Sequence, residues 1–376
     1  MLLLLALACK PALPTPGVLL VTIDTWRADH LDPTLTPAVN ELAQRGARFT
    51  NAWSPIGLTT AAHASLLTGL LPPRTGLRGN NHHGYALPQS ITTLAEVYAA
   101  AGWDTAAFVS AWPAGPVGNT NQGFASFDAP SDGERPGNVA VEKATLWLQE
   151  RQQPWFLWVH VYEPHGPYVP SAEDLAAVGG GEGDAARYRG EVHAADRIVG
   201  PLLKLAYGAG ATVVVAGDHG EVLGEESCGF QHDRSASPSV LHVPIVLAGP
   251  GVAPALIEQQ VGLIDVAPTL LRLSGLNPPP DLDGHDLLTG PAREVWVGES
   301  GLCDPRCALG CSPAGFLGKD RVVYGAVSGS LIDRPGRGLI GDAALAHYLD
   351  AYPPPTDEPV GEKVLEAVRS LGYIAP

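Results

Sequence analysis

The chain is poor in basic residues. Only 23 lysines and arginines stand against 39 aspartates and glutamates in 376 residues, which gives a formal net charge of −16. Nucleic-acid-binding proteins use Lys and Arg to displace the counterions of the phosphate backbone, so this deficit argues against a nucleic-acid partner. It also argues against a surface that binds strongly anionic lipid. The sequence has no internal repeat and no coiled-coil heptad, so neither a solenoid nor a coiled coil is expected.

Long hydrophobic runs are also lacking. Residues 1–8 (MLLLLALA) are apolar, but a bilayer-spanning helix needs about 20 such residues. The run ends at Cys9, and residues 6–9 resemble the lipobox of bacterial lipoproteins, in which the cysteine carries the lipid. We therefore expect residues 1–16 to be a leader and linker of an extracytoplasmic protein, either anchored through a lipid on Cys9 or secreted. A cytosolic protein is the alternative.

Cysteine is scarce as well, with five in the chain. Cys303, Cys307 and Cys311 are separated by three residues each and have no fourth partner close by, which argues against a zinc knuckle. Outside the cytosol, four cysteines more often form two disulfides, and Cys228 would then pair with one of the later three. Unpaired thiols on a loop are the alternative.

The apolar residues, 45% of the chain, are enough for a sizeable core. Continuous apolar runs rich in β-branched residues predict buried strands at 17–23, 105–110, 155–161, 211–216 and 244–248. Helical spacing occurs at 37–46, 188–207 and 265–273. This alternation predicts an α/β sandwich around a largely parallel sheet, spanning residues 17–290. The pattern weakens afterwards, so 291–376 is expected to form a small C-terminal subdomain or tail.

Polar residues follow two of these strands. Asp24 closes the first strand, and Asp218-His219 closes the strand at 211–216, with His232-Asp233 shortly after. Ligands of α/β sheets collect at the carboxyl ends of strands, so we expect these side chains to converge. A helix or turn cap is the simpler interpretation of Asp24, and a structural turn that of Asp218-His219.

Two further segments carry candidate groups. Thr59 precedes a helical run that includes His63, which places a hydroxyl near a helix N-terminus where an anion and a nucleophilic oxygen are stabilised; simple N-capping is the alternative. Glu163 and His165 lie on a proline-containing loop after a strand. His160 lies within that strand and is interpreted as a core histidine whose hydrogen bonds are satisfied. Carboxylates and imidazoles at one sheet edge suit a divalent cation, which would activate the hydroxyl.

Taken in order, these segments resemble the sulfatase branch of the alkaline phosphatase superfamily over about residues 18–288. The resemblance rests on DTWRADHL at 24–31, SLLTG at 65–69, EPHGPY at 163–168, GDHGE at 217–221 and DVAPTL at 265–270. It implies an alkaline-phosphatase-like three-layer αβα sandwich and a metal held by Asp24, Thr59, Asp218 and His219. A histidine ligand favours zinc or manganese, with calcium possible.

The chain departs from the sulfatase pattern at the nucleophile. Sulfatases carry there a cysteine or serine that matures to formylglycine, where this chain has Thr59, and His63 replaces the following arginine. The lysine–histidine pair of sulfatases is absent from 108–112, and Thr25 stands where many sulfatases have a second acidic ligand.

The resemblance implies a metal-dependent hydrolase of sulfuric or phosphoric esters. A threonine nucleophile favours phosphodiester hydrolysis or phosphoryl transfer on a small anionic ester, a surface glycan or a lipid headgroup. His165 and His232 would bind the anion or protonate the leaving group, with His63 and Glu163 as supporting residues. The alternatives are a true sulfatase without formylglycine and a non-catalytic glycan-binding protein.

Overall fold

The computed structural model describes residues 17–80, 86–293, 295–301, 304, 306–307, 314–317, 321–325 and 331–332. The leader with Cys9, and also Cys303 and Cys311, lie outside these residues. The strands are β1 Gly17–Ile23, β2 Ala47–Phe49, β3 Ala52–Trp53, β4 Asp104–Val109, β5 Ser126–Asp128, β6 Trp155–Val161, β7 Thr212–Gly217, β8 Val222–Leu223, β9 Phe230–Gln231, β10 Ile245–Ala248, β11 Ala255–Ile257, β12 Val261–Gly262, β13 Trp296–Gly298, β14 Ala314–Leu317, β15 Arg321–Gly325 and β16 Leu331–Ile332. The α-helices are α1 Pro37–Ala43, α2 Thr59–Thr68, α3 Pro72–Thr75, α4 Leu94–Ala100, α5 Gly137–Gln149, α6 Ala172–Ala177, α7 Asp184–Gly208, α8 Pro238–Leu241 and α9 Val266–Leu273.

The central sheet has eight strands in the order β11-β2-β10-β7-β1-β6-β4-β5, and it is parallel except for β10. The strand β1 lies between β6 and β7, and all three are buried along their whole length. Burial on both faces explains why these strands are continuous apolar runs rather than alternating ones. Because β1 and β7 are parallel neighbours that end in register, the residues that follow them, Asp24 and Asp218, come together.

Helices cover both faces of this sheet. On one face, Leu19, Val21 and Ile23 of β1 pack with residues of α1, α5 and α7. On the other, Val18 and Leu20 pack with residues of α2, α4 and α9. Alternate side chains of one strand thus pack into the hydrophobic cores on the two faces of the sheet. The three-layer αβα sandwich predicted from the sequence is confirmed.

The helix bounds differ slightly from those expected. The first helix stops at Ala43 instead of continuing to 46, and α7 begins at Asp184 rather than at 188. The early start of α7 has two local causes: Gly183, with φ of 85°, turns the chain, and Asp184 places a carboxylate in the first helical turn. Among the described residues, no helix is both long enough and apolar enough to cross a membrane.

A small antiparallel sheet of four strands, β13-β14-β15-β16, follows the sandwich. Its first strand contributes Trp296, which packs with Trp53 and donates from Nε1 to the carbonyl of Ser54 at 3.0 Å. A disulfide joins Cys228, in the β8–β9 turn, to Cys307. Cys228 therefore pairs with one of the three cysteines proposed for it. The expected boundary of the catalytic domain at residue 290 remains a prediction.

The buried carboxyl of Glu191 on α7 predicts a pH-dependent stability. Burial raises its pKa to about 7, and the amide of Val169, which donates to Oε1 at 2.8 Å, offsets this only partly. The ordinary value is 4.5, so the folded protein binds more protons than the unfolded chain between these pH values, and stability falls as the pH rises through them.

Glu191→Gln keeps an acceptor for Val169 and removes the charge. We expect the variant to match the wild type at pH 4.5 and to exceed it by about 1–3 kcal/mol at pH 8, measured by denaturant unfolding. Glu173→Gln, at an exposed position on α6, is the control and should change neither value. A Glu191→Gln effect of equal size at both pH values would contradict the argument.

Candidate metal centre

Three buried side chains meet where β1 and β7 end. Asp24 follows β1, and Asp218 and His219 follow β7; each is at most 1% exposed. One ligand atom from each of the three lies within 4.8 Å of the others. The convergence expected from the sequence thus has the dimensions of a cation site.

The turn after β1 orients Asp218. Thr25 adopts φ of 49°, and its amide donates to Oδ1 of Asp218 at 3.2 Å, as the amide of His219 does at 2.8 Å. The hydroxyl of Tyr188 donates to the carbonyl of Thr25 at 2.7 Å and thereby holds this turn. A Cβ at Gly217 would lie 2.3 Å from the carbonyl oxygen of Trp26, so this close approach requires glycine before Asp218.

The hydroxyl of Thr59 faces the same cluster. Thr59 is the first residue of α2, and its Oγ1 lies 3.3 Å from Nε2 of His219. The capping alternative is not observed, because the N-cap residue is Leu58 and the Thr60 hydroxyl donates to the carbonyl of Pro113. Instead, Oδ1 of Asn80 accepts a hydrogen bond from the amide of Thr60 at 2.9 Å. No local sequence pattern predicts this contact.

The cluster fits a divalent cation. Both carboxylate oxygens of Asp24 and Oδ2 of Asp218 are buried without a hydrogen-bond partner. Nδ1 of His219 donates to the carbonyl of Gly220 at 3.0 Å, which leaves the Nε2 lone pair 3.7 Å from Asp24 and 3.6 Å from Asp218. Two adjacent buried carboxylates are costly without a cation, and a mixed oxygen and imidazole set suits zinc, manganese and related ions.

The two carboxyls differ in pKa. Burial raises the pKa of both. At Asp24 the neighbouring His160, His165 and His219 outweigh burial, so its pKa falls below the usual range. At Asp218 the charge of Asp24 adds to burial, and the pKa rises well above that range. Since a metal requires deprotonated ligands, its binding would release the proton that this pair holds.

A row of imidazole rings leads away from the cluster. His232 stacks on His219 with ring centres 4.5 Å apart, and His165 meets His232 edge to face at 5.0 Å. Burial lowers the pKa of His232, but Glu221, which accepts from its Nδ1 at 3.4 Å, raises it more, to about 9. His165 and His232 line a cleft of about 530 Å³, together with Tyr168, Arg187, Phe230 and Arg234.

Two of the expected site residues make structural contacts. The Glu163 carboxylate accepts from the amide of Gly137 at the start of α5, and no contact among the described residues joins it to the cluster. His63 is fully buried, and its Nδ1 donates to the carbonyl of Thr59 at 2.8 Å. Burial lowers the pKa of His63 to about 3, so the ring is neutral at physiological pH. The roles suggested for both residues remain predictions.

The structure adds His160 to the surroundings of the cluster. The sequence suggested that His160 is a core histidine whose hydrogen bonds are satisfied, but Nε2 of His160 lies 3.4 Å from Oδ2 of Asp24. The pairing of β6 with β1 places His160 opposite Thr22, two residues before Asp24. This register was not visible in the sequence, because it depends on which strands become neighbours.

The fold defines the class. The three-layer αβα sandwich is the fold of the alkaline phosphatase superfamily, shared with a superfamily member from Vibrio parahaemolyticus at a TM-score of 0.63 and 17% identity, covering 96% of this chain and 89% of that one. The chain belongs to the Sulfatase family, whose model matches residues 16–276.

Curated relatives agree with this assignment. The ulvan-active sulfatase of Formosa agariphila is 26% identical over 75% of this chain and 68% of its own length. N-acetylgalactosamine-6-sulfatase of Rattus norvegicus is 28% identical over 67% of this chain and 60% of its own. The chain thus spans about two thirds of the length of these relatives.

Solved structures share the fold. The crystal structure of Ps i-CgsB in complex with k-i-k-neocarrahexaose has a TM-score of 0.73 at 16% identity, covering 95% of this chain and 97% of that one. The phosphonate monoester hydrolase of Agrobacterium radiobacter has a TM-score of 0.62 at 19% identity, covering 95% of each chain.

If Asp218 is a metal ligand, Asp218→Asn should leave the unfolding temperature of the apo protein unchanged or higher and should abolish its increase with metal. Asparagine keeps the Oδ1 acceptor for Thr25 and His219 but removes the carboxyl that must hold a proton beside Asp24 in the apo protein. We expect the apo variant to unfold at or above the wild-type temperature and to gain nothing from zinc, manganese or calcium. The wild type should gain several degrees with at least one of them.

The matched control is Asp196→Asn. Asp196 is as buried as Asp218, but it accepts from the amides of Ala38 and Val39 at the start of α1. Calorimetry should show that this variant keeps the metal-induced shift. An undiminished metal shift in Asp218→Asn would remove Asp218 from the site.

Proposed function

We propose that the protein is a metal-dependent hydrolase of esters of phosphorus that carry a single negative charge, such as phosphodiesters and phosphonate monoesters. The Thr59 hydroxyl is the nucleophile. The observation that carries the proposal is the position of this hydroxyl, at the first residue of α2 and 3.3 Å from Nε2 of His219.

Charge balance supports a monoanionic ester. The carboxylates of Asp24 and Asp218 together neutralise one divalent cation. Among the described residues, no lysine or arginine hydrogen-bonds to or pairs with Asp24, Thr59, Asp218 or His219. A dianionic phosphate monoester would therefore bring charge that the cluster does not compensate, whereas a monoanion meets the positive end of the α2 helix dipole and the His232 ring.

The roles of the residues follow from their positions. Asp24, Asp218 and His219 would hold the cation, which when bound would lower the pKa of the Thr59 hydroxyl and offset the charge of the ester. Oγ1 of Thr59, its proton released to solvent, then bonds to phosphorus as the bond to the leaving oxygen breaks. His232 is protonated at neutral pH and lines the cleft, so it donates a proton to the leaving alkoxide.

The second half-reaction is hydrolytic. The Thr59–phosphorus ester is attacked by water from the side that the alcohol has left, and His232 takes a proton from that water. The bond from Oγ1 to phosphorus breaks, and Oγ1 takes a proton from solvent to restore the Thr59 hydroxyl. A formylglycine hydrate can instead expel sulfate through its second hydroxyl, a route that a threonine with one hydroxyl does not have. This difference favours phosphorus over sulfur.

Sulfate esters are the second candidate. They too are monoanions, and the curated relatives are named as sulfatases. The neighbour Ps i-CgsB was solved with a carrageenan oligosaccharide. The cleft beside His165 and His232 offers Tyr168 and the half-exposed ring of Phe230, the kind of surface that stacks on a sugar face, so the alcohol part is proposed to be a glycan.

An extracytoplasmic location belongs to the same proposal. The disulfide between Cys228 and Cys307 persists in oxidising compartments and is rare in the cytosol. A lipid on Cys9 remains a prediction, to be tested by mass spectrometry of the N-terminal peptide of the mature protein.

Thr59→Ala should abolish turnover, with a loss of at least about 10³-fold in kcat, because the nucleophilic oxygen is gone. Thr59→Ser should retain a measurable fraction. Thr68→Ala, at the other end of α2, is the control: its hydroxyl hydrogen-bonds to the Ala64 carbonyl and the Leu70 amide, so kcat should stay within about threefold. Rates are measured on chromogenic phosphodiester, phosphonate monoester and sulfate ester substrates with each metal.

The outcomes separate the candidates. Faster turnover of phosphorus esters, with a phosphorylated Thr59 peptide after acid quench, supports the proposal. Turnover of the sulfate ester alone would overturn the preference for phosphorus. Turnover of none, with tight binding of a sulfated oligosaccharide that Thr59→Ala leaves unchanged, would identify a glycan-binding protein.

A further inference from the structure

A buried polar chain lies directly beneath the metal centre, and the proposed mechanism does not use it. Its centre is the Thr22 hydroxyl, on β1 two residues before Asp24. Three ring nitrogens surround this hydroxyl: Nε2 of His63 at 2.9 Å, Nε1 of Trp158 at 3.0 Å and Nδ1 of His160 at 3.1 Å. All four side chains are fully buried.

The directions of these hydrogen bonds follow from their partners. The carbonyl of Thr59 can only accept, so Nδ1 of His63 carries its proton and Nε2 accepts from Thr22. The indole of Trp158 can only donate. The Thr22 oxygen, with one proton and two lone pairs, then accepts from Trp158 and from Nδ1 of His160. Every donor and acceptor site of this hydroxyl is thereby used.

Both ends of the chain reach the site. Through His63, Thr22 is linked to the main-chain carbonyl of the nucleophile Thr59 in the first turn of α2. Through the ring of His160 it reaches the neighbourhood of Asp24: Nε2 of that ring lies 3.4 Å from Oδ2, a close contact rather than a hydrogen bond. One hydroxyl therefore connects the two elements, β1 and α2, that must keep a fixed distance for the nucleophile to face the metal ligands.

We propose that Thr22 is a positioning residue for the metal centre: it locks His160 behind the ligand Asp24 and His63 beneath Thr59. The inference rests on the proposed metal-dependent function. Residues that orient a metal ligand from behind typically change metal affinity by about 10- to 100-fold when they are removed. Thr22 should act in this range although it contacts neither metal nor substrate.

The test is Thr22→Val, which keeps the shape of the side chain and removes the hydroxyl. We expect the metal dissociation constant, measured by competition with a chromogenic chelator, to rise about 10- to 100-fold. Thr22→Ser restores the hydroxyl and should recover most of the affinity. Thr105→Val is the matched control, because Thr105 is equally buried, lies on β4 and hydrogen-bonds only to Gly123 and Ala125 in the described contacts.

A second readout follows the ring itself. In ¹⁵N-edited NMR of the wild-type apo protein, His63 should show the Nδ1–H tautomer, and the Nε2 resonance should move in Thr22→Val but not in Thr105→Val. Circular dichroism of each apo variant confirms that it is folded before titration.

The outcomes separate this inference from the proposed function. Wild-type affinity in Thr22→Val, or equal losses in Thr22→Val and Thr105→Val, would overturn the positioning role. Failure of Thr22→Ser to recover affinity would do the same. These measurements use metal alone, so an absence of esterase activity in the wild type would contradict the proposed function and leave the role of Thr22 standing.

Discussion

The structure depends on the burial of two carboxylates side by side. Asp24 and Asp218 follow parallel neighbours, β1 and β7, that end in register, and neither side chain reaches water. An apolar core cannot hold such a pair without a cation or a proton. The pKa of Asp24 is therefore lowered and that of Asp218 raised, because only one of the two carboxyls is readily ionised when the other is charged. Three features of the surrounding structure keep the pair together: a buried parallel sheet beneath it, a left-handed turn at Thr25, and a glycine before Asp218 that lets two backbones approach.

Much of this could be predicted from the sequence, because the strongest signals are local. A continuous apolar run that ends in Asp is visible in residues 17–24, and the same pattern recurs at 211–218. Parallel strands then bring their carboxyl ends to one edge, so the approach of Asp24 to Asp218-His219 needed no coordinates. The helical run that follows Thr59 was also visible, and the helix ends at Thr68 with Gly69 in the left-handed region.

Other features depend on strand order and register, which no local pattern encodes. His160 occupies an ordinary interior position in an apolar strand, and only the pairing of β6 with β1 sets it behind Asp24. Asn80 reaches the start of α2 from 20 residues away along the chain. Glu163 lies in a distinctive loop motif, yet its carboxylate binds the first amide of α5, because the dipole of a helix N-terminus also attracts an anion. The choice of Cys307 as the partner of Cys228 likewise needed the fold.

Thr59 and His63 stand where the sulfatase pattern has its nucleophile and the following arginine, and the two differences belong together in the proposed mechanism. An arginine in place of His63 would bring a permanent charge into a site whose anionic charge is already matched by one divalent cation. The neutral ring of His63 hydrogen-bonds to the Thr59 carbonyl and the Thr22 hydroxyl, lies 3.7 Å from Oδ2 of Asp218, and leaves the charge balance unchanged. In the proposed mechanism, the single hydroxyl of Thr59 forms an ester that needs a water-accessible second step rather than extra positive charge. The acidic surface, with its net charge of −16, is compatible with this site, because the fields of exposed charges are screened over about 10 Å in salt while the cation would act at contact distance.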